Sequence, residues 1–279
     1  MVSIVIITHE EQGMLSQHLP AMLSQQGLEY EVLVVDMNSK DDTIEYLKSL
    51  EKSMPHLRHL SLPTSAKDIS KERLALLLGV KSALSGQVLI TNPEMEVRDE
   101  QWLAGITKRW EDGKTFLYIP TQRTTDRQLS ARHDSWRQAL YLRQAQKKGL
   151  FRAGSAVIGI NREAYITHDA PAQLLALKTG VLDMYMSQVA NRENTTILTE
   201  PELIPKLTAK HSHRYWRQKR LFDVETRRHL SHRLCRHTSY ILYVLRTLHR
   251  ASPVFCLMDC WDRLRWSLTN RQTFVKKHF

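Results

Sequence analysis

The chain has 279 residues, of which 42% are hydrophobic, and this is enough apolar material for a sizeable core. Its net charge of +11 is uneven, because residues 1–204 hold 23 basic against 25 acidic side chains, whereas residues 205–279 hold 17 against 4. No apolar run reaches the roughly 20 residues that span a bilayer, and Cys235, Cys256 and Cys260 form no CxxC pair, which argues against a disulfide framework or a zinc site. The N-terminus lacks the basic region of a signal peptide, which further favours a cytoplasmic protein.

The first hundred residues alternate between apolar runs and helical patterns. Val2–Ile7 and Val32–Val35 are continuous apolar runs, typical of parallel strands that are covered on both faces. Strands that alternate with helices predict a doubly wound, Rossmann-like and mostly parallel sheet. In chain order we predict a strand at 2–7, a helix at 15–23, a strand ending at 36, a helix at 43–50, a strand at 57–62, a helix at 68–85 and a strand at 87–91.

Beyond residue 100 this alternation becomes irregular. We predict a helix at 101–109, a strand at 115–119, a helix at 130–148, a strand at 154–160, a helix at 179–191 and a strand at 195–198. From residue 205 onward the chain is helical, basic and aromatic in pattern. The sequence therefore predicts an α/β domain over residues 1–204 and a basic helical appendage over residues 205–279.

Polar residues follow the first two predicted strands directly. Asp36 ends the second strand, and the first is followed by Thr8, His9 and Glu10. The carboxyl ends of strands in open α/β sheets are where ligands bind. A strand end followed by the first turn of a helix looks similar without any ligand, and the residues alone favour that simpler interpretation.

Three blocks of the sequence together resemble the inverting nucleotide-sugar glycosyltransferases of family 2, which have the GT-A fold. Ser3-Ile-Val-Ile-Ile-Thr-His-Glu10 resembles the family's opening Ser-Ile-Val-Ile-Pro-Thr-Tyr-Asn. Val34-Val-Asp-Met-Asn-Ser-Lys-Asp-Asp-Thr43 resembles its Val-Val-Asp-Asp-Gly-Ser-Thr-Asp-Gly-Thr, and Val88–Val97 stands where the family carries its Asp-x-Asp element. The resemblance covers about residues 1–220, and the order and spacing of the blocks are more specific than any one block.

The resemblance implies that the strand ends bind a nucleotide-sugar donor. Asp36 would accept a hydrogen bond from the base, His9 would take the stacking place of the family's Tyr, and Thr8 and Glu10 would flank base and ribose. Arg73 matches a Lys of the family and would contact the diphosphate, with a solvated helix charge as the alternative. The implied donor-binding residues are Thr8, His9, Glu10, Asp36, Asn38, Arg73, Asn92 and Glu94.

The Asp-x-Asp element is replaced here by Asn92-Pro-Glu94. Asn92 can bind a ribose hydroxyl but carries no charge. Glu94 keeps a carboxylate, and the resemblance implies that it holds Mg²⁺ or Mn²⁺, since such cations prefer oxygen ligands. An ordinary carboxylate at a strand end is the alternative.

The catalytic base is implied in the segment that begins at Gly180. Inverting transfer needs a carboxylate that takes the proton of the acceptor hydroxyl. A bacterial subgroup has three adjacent Asp residues here, whereas this chain has Val181, Leu182 and Asp183. Asp183 is therefore the candidate base; if the base aligns with Val181 or Leu182, it is missing.

The basic appendage supplies two further expectations. Arg217, Lys219 and Arg220 weakly resemble an element that closes over the donor diphosphate, where they would offset charge on the leaving group; a basic surface helix is the alternative. Apolar groups among the Arg and Lys residues suit interfacial helices on anionic lipid, and a helical cap on the domain is the other possibility. Nucleic-acid binding is not favoured, because no signature of a nucleic-acid-binding fold is present.

The resemblance thus implies transfer of a sugar, with inversion, from a UDP-linked donor to a glycan or lipid-linked acceptor. The N-terminus and the basic tail lead us to expect a cytoplasmic protein that is peripheral to the inner face of the membrane. The alternative is a catalytically weak or inactive relative that acts as a binding or scaffold protein at the membrane.

Overall fold

The computed structural model describes residues 1–63, 71–111, 113–124, 128–148, 152–167, 181–234 and 253–275. The chain divides into two compact units, Met1–Lys210 and His211–Phe279. The predicted boundary after residue 204 falls earlier, because Lys206–Leu207 forms a strand that pairs within the first unit. Four predictions fall outside the described residues: the helix start at 68–70, the helix start at 179–180, the helical pattern at 235–252 and 276–279, and Cys235.

The elements follow the predicted order closely. The first unit contains β1 (Val2–Thr8), α1 (Gln12–Leu23), β2 (Tyr30–Asp36), α2 (Thr43–Glu51), β3 (Leu57–Ser61), α3 (Lys71–Ser82), β4 (Gln87–Thr91), β5 (Met95–Glu96), α4 (Trp102–Arg109), β6 (Phe116–Ile119), β7 (Gln122–Arg123), α5 (Leu129–Lys148), β8 (Val157–Asn161), α6 (Arg162–Thr167), α7 (Val181–Val189), β9 (Thr195–Ile197) and β10 (Lys206–Leu207). The second unit contains α8 (His213–Leu234) and α9 (Pro253–Val275).

Within the described residues, seven strands form one sheet in the order β3-β2-β1-β4-β8-β6-β9. Neighbouring strands are parallel except at β8, which is antiparallel to both β4 and β6. The predicted mostly parallel sheet is therefore confirmed. Because β1, β2, β4 and β6 share one direction, their carboxyl ends meet at one edge of the sheet, which we call the polar edge.

Helices cover both faces of this sheet. On one face Ile4 and Val34 pack with Leu19 of α1 and Trp102 of α4. On the other face Val5 and Val35 pack with Leu76 and Val80 of α3 and with Met186 of α7. Burial on both faces explains why β1 and β2 are continuous apolar runs rather than alternating ones.

Close packing of α3 on the sheet depends on Gly79. A Cβ atom at this position would lie 2.6 Å from Cγ1 of Val5 and 3.2 Å from Cγ2 of Val35. The helix can approach β1 and β2 this closely only because residue 79 has no side chain.

Two features of the strands in the first unit differ from the prediction. The strands β5, β10 and β7 form a small separate sheet that the sequence did not indicate, because each has two residues and shows no periodicity. The strand predicted from residue 154 begins at Val157, and Gly154–Ala156 form a turn in which Gly154 has a φ of +60°.

The described parts of the second unit are helical, as predicted. α8 and α9 pack on each other, and Nε of Arg220 donates to Oδ2 of Asp262 at 2.9 Å. In the part of the chain that the structure describes, no helix is both long and apolar enough to cross a bilayer.

Candidate functional site

The loops after β1 and β2 are joined to each other at the polar edge. The Met37 amide donates to the Thr8 carbonyl at 2.9 Å, and the Glu10 amide donates to Oγ of Ser39 at 2.8 Å. His9 and Glu10 are exposed, and the backbone of Glu10 has a φ of +57°. The structure thus brings the predicted residues of the two loops together and presents His9 and Glu10 to solvent.

Asp36 is fully buried and stabilises its own turn. Its Oδ2 accepts the amides of Asn38 and Ser39, both at 3.0 Å, and its Oδ1 accepts the hydroxyl of Ser39. Asn38 has a φ of +66°, a conformation that Asn tolerates in turns. This geometry directs the carboxylate into the turn, so the predicted contact of Asp36 with a base stays a prediction.

Lys71, in the first turn of α3, reaches the polar edge. Nζ of Lys71 donates to the Met37 carbonyl at 3.3 Å, in the turn after β2. Arg73 is 8% exposed and lies on the helix face that also buries Leu76 and Val80. The predicted contact of Arg73 with a diphosphate stays a prediction, and Lys71 is a further cation at this edge that was not among the predicted site residues.

Glu94 forms a buried ion pair with Arg123 of β7. Each oxygen of the carboxylate accepts one terminal nitrogen of the guanidinium at 3.1 Å, and the side chains of Glu94 and Arg123 are 10% and 2% exposed. Arg123 also donates to the Ala209 carbonyl at 3.3 Å, and its Nε lies 4.0 Å from Oδ2 of Asp134. The pair therefore links the turn after β4 to β7, α5 and the segment after β10.

A divalent cation does not fit Glu94 in this arrangement. Both carboxylate oxygens face a guanidinium, whose positive charge would repel a metal ion beside them. Asn92 is the other predicted donor-binding residue of this turn, and its Oδ1 accepts the Glu94 amide at 3.2 Å. Over the described ranges, no group of three or more His, Cys, Asp or Glu residues is arranged to hold a metal ion. The assignment of Glu94 as a metal ligand is not supported by this geometry.

Asp183, the candidate base, is also buried in an ion pair. It lies in the first turn of α7, where Oδ2 accepts Nε of Arg152 at 3.1 Å and Oδ1 accepts the Ala153 amide at 2.6 Å. Burial and the nearby Asp183 charge raise the pKa of Tyr118 above its usual range. The carboxylate thus holds the segment before β8, and its role as base stays a prediction.

The turn before β8 lies against α5 and the segment after β6. The Ser155 amide donates to Oε1 of Gln138 at 3.1 Å, and the Thr121 hydroxyl donates to the Ser155 carbonyl at 3.0 Å. A Cβ atom on Gly154 would lie 2.3 Å from Oε1 of Gln138 and would displace that amide, and the φ of +60° also favours glycine here. The turn Gly154–Ala156 therefore lies at the polar edge, beside the strand end of β6.

His18 of α1 contributes a buried titratable group below this edge. Its Nε2 lies 3.0 Å from the Thr208 hydroxyl. Burial lowers the pKa of His18 below 6.5, and the negative charges of Glu96 and Glu94 oppose this shift in part. The folded state therefore favours the neutral imidazole.

We expect stability to fall on acidification partly through His18. The contribution of His18 to the stability of the folded state is complete above pH 6.5, where the imidazole is neutral in both the folded and the unfolded state. It is lost as the pH falls from 6.5 through the lower pKa of the folded state. Urea denaturation at a series of pH values would measure this. His18→Gln should flatten the profile below pH 6.5, and an unchanged profile would contradict the assignment.

Arg217, Lys219 and Arg220 belong to α8 in the second unit. Arg217 is exposed, Nζ of Lys219 lies 5.4 Å from the centre of the Trp216 ring, and Arg220 pairs with Asp262. Their contact with a diphosphate stays a prediction.

Comparisons with known proteins agree with this architecture. The family model described as Glycosyl transferase family 2 matches residues 3–166, more than half of the chain. No curated protein is similar enough to count as a match.

Several solved structures share the fold. A mannosyltransferase from Pyrobaculum calidifontis, solved with GDP-Man and Mn²⁺, is 14% identical over 96% of this chain and 73% of its own, with a TM-score of 0.62. Residues 1–349 of TarS from S. aureus are 16% identical over 81% of this chain and 64% of that one, with a TM-score of 0.53. Glucosyl-3-phosphoglycerate synthase from Mycobacterium tuberculosis, solved with Mn²⁺, UDP and phosphoglyceric acid, is 13% identical over 80% of this chain and 76% of its own, with a TM-score of 0.50. The chain belongs to glycosyl transferase family 2, is a glycosyltransferase, and has the GT-A fold.

Proposed function

We propose that the chain transfers a sugar from a UDP-linked donor to a glycan or lipid-linked acceptor, with inversion at the sugar carbon. The observation that carries the proposal is the pair of joined loops after β1 and β2, which expose His9 and Glu10 at the polar edge of a family 2 domain. A UDP-linked donor is supported by the TarS structures with UDP-GlcNAc and UDP, whereas GDP-Man occupies the mannosyltransferase. A lipid-linked acceptor would place the chain at the cytoplasmic face of a membrane.

In the proposed single displacement, four of the described residues have separate roles. His9 stacks on the base, and Glu10 flanks base and ribose. Lys71 adds positive charge beside the turn after β2, where it offsets charge on the departing diphosphate. Asp183 takes the proton of the acceptor hydroxyl, which requires that this hydroxyl replace a present donor, Arg152 or the Ala153 amide.

Mg²⁺ or Mn²⁺ was expected at Glu94, and the mannosyltransferase and the synthase were both solved with Mn²⁺. In this chain Arg123 occupies both oxygens of Glu94. The proposed displacement therefore contains no step that depends on a metal ion.

A catalytically weak or inactive relative, which binds a nucleotide-sugar or a partner as a scaffold at the membrane, is the second candidate. The two buried ion pairs favour it, because they engage the implied metal ligand Glu94 with Arg123 and the implied base Asp183 with Arg152.

Calorimetric titration with UDP, GDP and dTDP tests the donor site. We expect UDP to bind in EDTA as well as in Mn²⁺, because Glu94 is already neutralised by Arg123. His9→Ala should weaken binding by about tenfold, the effect of losing one base-stacking contact. Glu10→Gln should weaken it less, and the exposed Glu45→Gln on α2 serves as the matched control for Glu10.

The three outcomes have different meanings. Binding of no nucleotide under either condition would contradict a donor site at the polar edge. Binding in Mn²⁺ alone would show a cation site that requires Glu94 to leave Arg123. Metal-independent binding followed by no transfer to any acceptor would favour the inactive relative.

A further inference from the structure

One face of α9 exposes large apolar side chains. In a helical projection with about 100° per residue, these side chains fall within a sector of about 80°. They extend about 21 Å along the helix axis. We call this face the apolar stripe, and its members, with their exposed fractions, are Val254 at 46%, Leu257 at 69%, Trp261 at 62%, Leu264 at 55% and Leu268 at 59%.

The opposite face of α9 is buried although it contains acids. Asp259 and Asp262 are each 3% exposed, and Asp262 accepts Nε of Arg220 from α8 at 2.9 Å. A helix on the surface of a globular protein usually buries its apolar face and exposes its charges. α9 instead turns its acids inward and its apolar stripe outward.

The unit that carries the apolar stripe is strongly basic in sequence. Residues 211–279 contain 15 Lys and Arg against 4 Asp and Glu. Two of these four acids, Asp259 and Asp262, are buried on the far side of α9, and Arg265 lies next to the stripe in the helical projection. An exposed apolar face on a unit with many cationic and few acidic residues has the chemistry of an interfacial helix on anionic lipid.

We propose that the apolar stripe of α9 inserts into the surface of an anionic lipid membrane. The spacing of the stripe, alternately three and four residues, would also suit a coiled coil with a second copy of the chain. The flanking positions of such a pair would be Met258, Cys260, Arg265 and Ser267, which offer no opposite charges for pairing between helices. The positive charge therefore favours lipid over a second copy. Membrane binding by α9 requires no catalysis, so it is tested independently of sugar transfer.

Sedimentation of the full chain with vesicles tests the proposal. Vesicles of phosphatidylcholine mixed with phosphatidylglycerol should bind the wild type, and vesicles of phosphatidylcholine alone should bind it more weakly. The triple variant Leu257→Ser, Trp261→Ser and Leu264→Ser should lower the partition coefficient by about tenfold or more, because three inserting side chains are lost. Each replaced side chain is more than half exposed, so the fold should persist, and circular dichroism checks this.

The matched control is the double variant Leu84→Ser and Leu129→Ser. These leucines are 64% and 48% exposed in the first unit, and their replacement should leave vesicle binding unchanged. The proposal is overturned if the wild type does not bind the anionic vesicles or if the triple variant binds them equally well. It is also overturned if light scattering shows a dimer that the triple variant dissociates, because the stripe would then bind a second copy.

Discussion

Replacing Arg123 with Met is expected to lower the free energy of unfolding by about 3–5 kcal/mol, because it leaves a buried carboxylate without its partner. Glu94 is 10% exposed and has both oxygens on the Arg123 guanidinium, so water cannot readily replace the lost donors. Arg123 also lies near the Asp134 carboxylate, which adds a second negative charge to the unpaired site. Urea denaturation at neutral pH, analysed as a two-state transition, measures the loss.

Two further variants test this explanation. Glu94→Gln combined with Arg123→Met removes both charges, and it should recover a substantial part of the stability that Arg123→Met loses. Arg109→Met serves as the matched control, since Arg109 is 39% exposed and pairs with Glu200 and Glu202 at the surface. Its expected effect is about 0.5 kcal/mol or less. If Arg123→Met and Arg109→Met lower the free energy of unfolding equally, then burial does not strengthen the ion pair of Arg123 with Glu94.

Replacing Asp183 with Ala is expected to have a similar effect, about 3–5 kcal/mol, because it leaves Arg152 buried without its partner. It should also release the turn before β8, since the Ala153 amide loses its acceptor. Hydrogen exchange measures this local effect: the Ala153 amide should exchange faster than in the wild type, beyond what the change in global stability explains.

Asp183→Asn separates structure from chemistry at this position. The amide keeps an oxygen for the Ala153 N–H but loses the charge that pairs with Arg152, so its loss of stability should be smaller than that of Asp183→Ala. If Asp183 is the base, Asp183→Asn still abolishes transfer while nucleotide binding persists. The control is Asp42→Ala, because Asp42 is exposed and makes no side-chain hydrogen bond to the helix that it caps. Transfer by Asp183→Asn at the wild-type rate would remove Asp183 from the mechanism.

The fold was predictable because hydrophobic pattern determines most of it. Continuous apolar runs identified β1, β2 and β4, and the alternation with helices identified the doubly wound sheet. Patterns of this kind contain no information on strands of two residues, so the small sheet of β5, β7 and β10 was missed. They also leave the antiparallel direction of β8 undetermined, because a buried strand has the same composition in either direction.

The site was less predictable, because side-chain pairing depends on tertiary contacts. Arg123 and Glu94 are 29 residues apart, and Arg152 and Asp183 are 31 apart, so no local pattern indicates either pair. The placement of Arg73 could have been predicted, since residues 73, 76 and 80 share one face of a helix and two of them are apolar. That spacing already places Arg73 on the core face.

Because β8 is antiparallel to β4 and β6, the turn before β8 can change in sequence independently of the loops after β1 and β2. The strands β1 and β2 bring the loops that leave them to the polar edge, whereas β8 brings the turn that enters it, Gly154–Ala156. Its anchors, Thr121, Gln138 and Asp183, all lie beyond residue 120, whereas the contacts described above for the β1 and β2 loops involve residues no later than Lys71. Insertions or substitutions in the turn before β8 could thus reshape one wall of the site and leave the opposite wall intact.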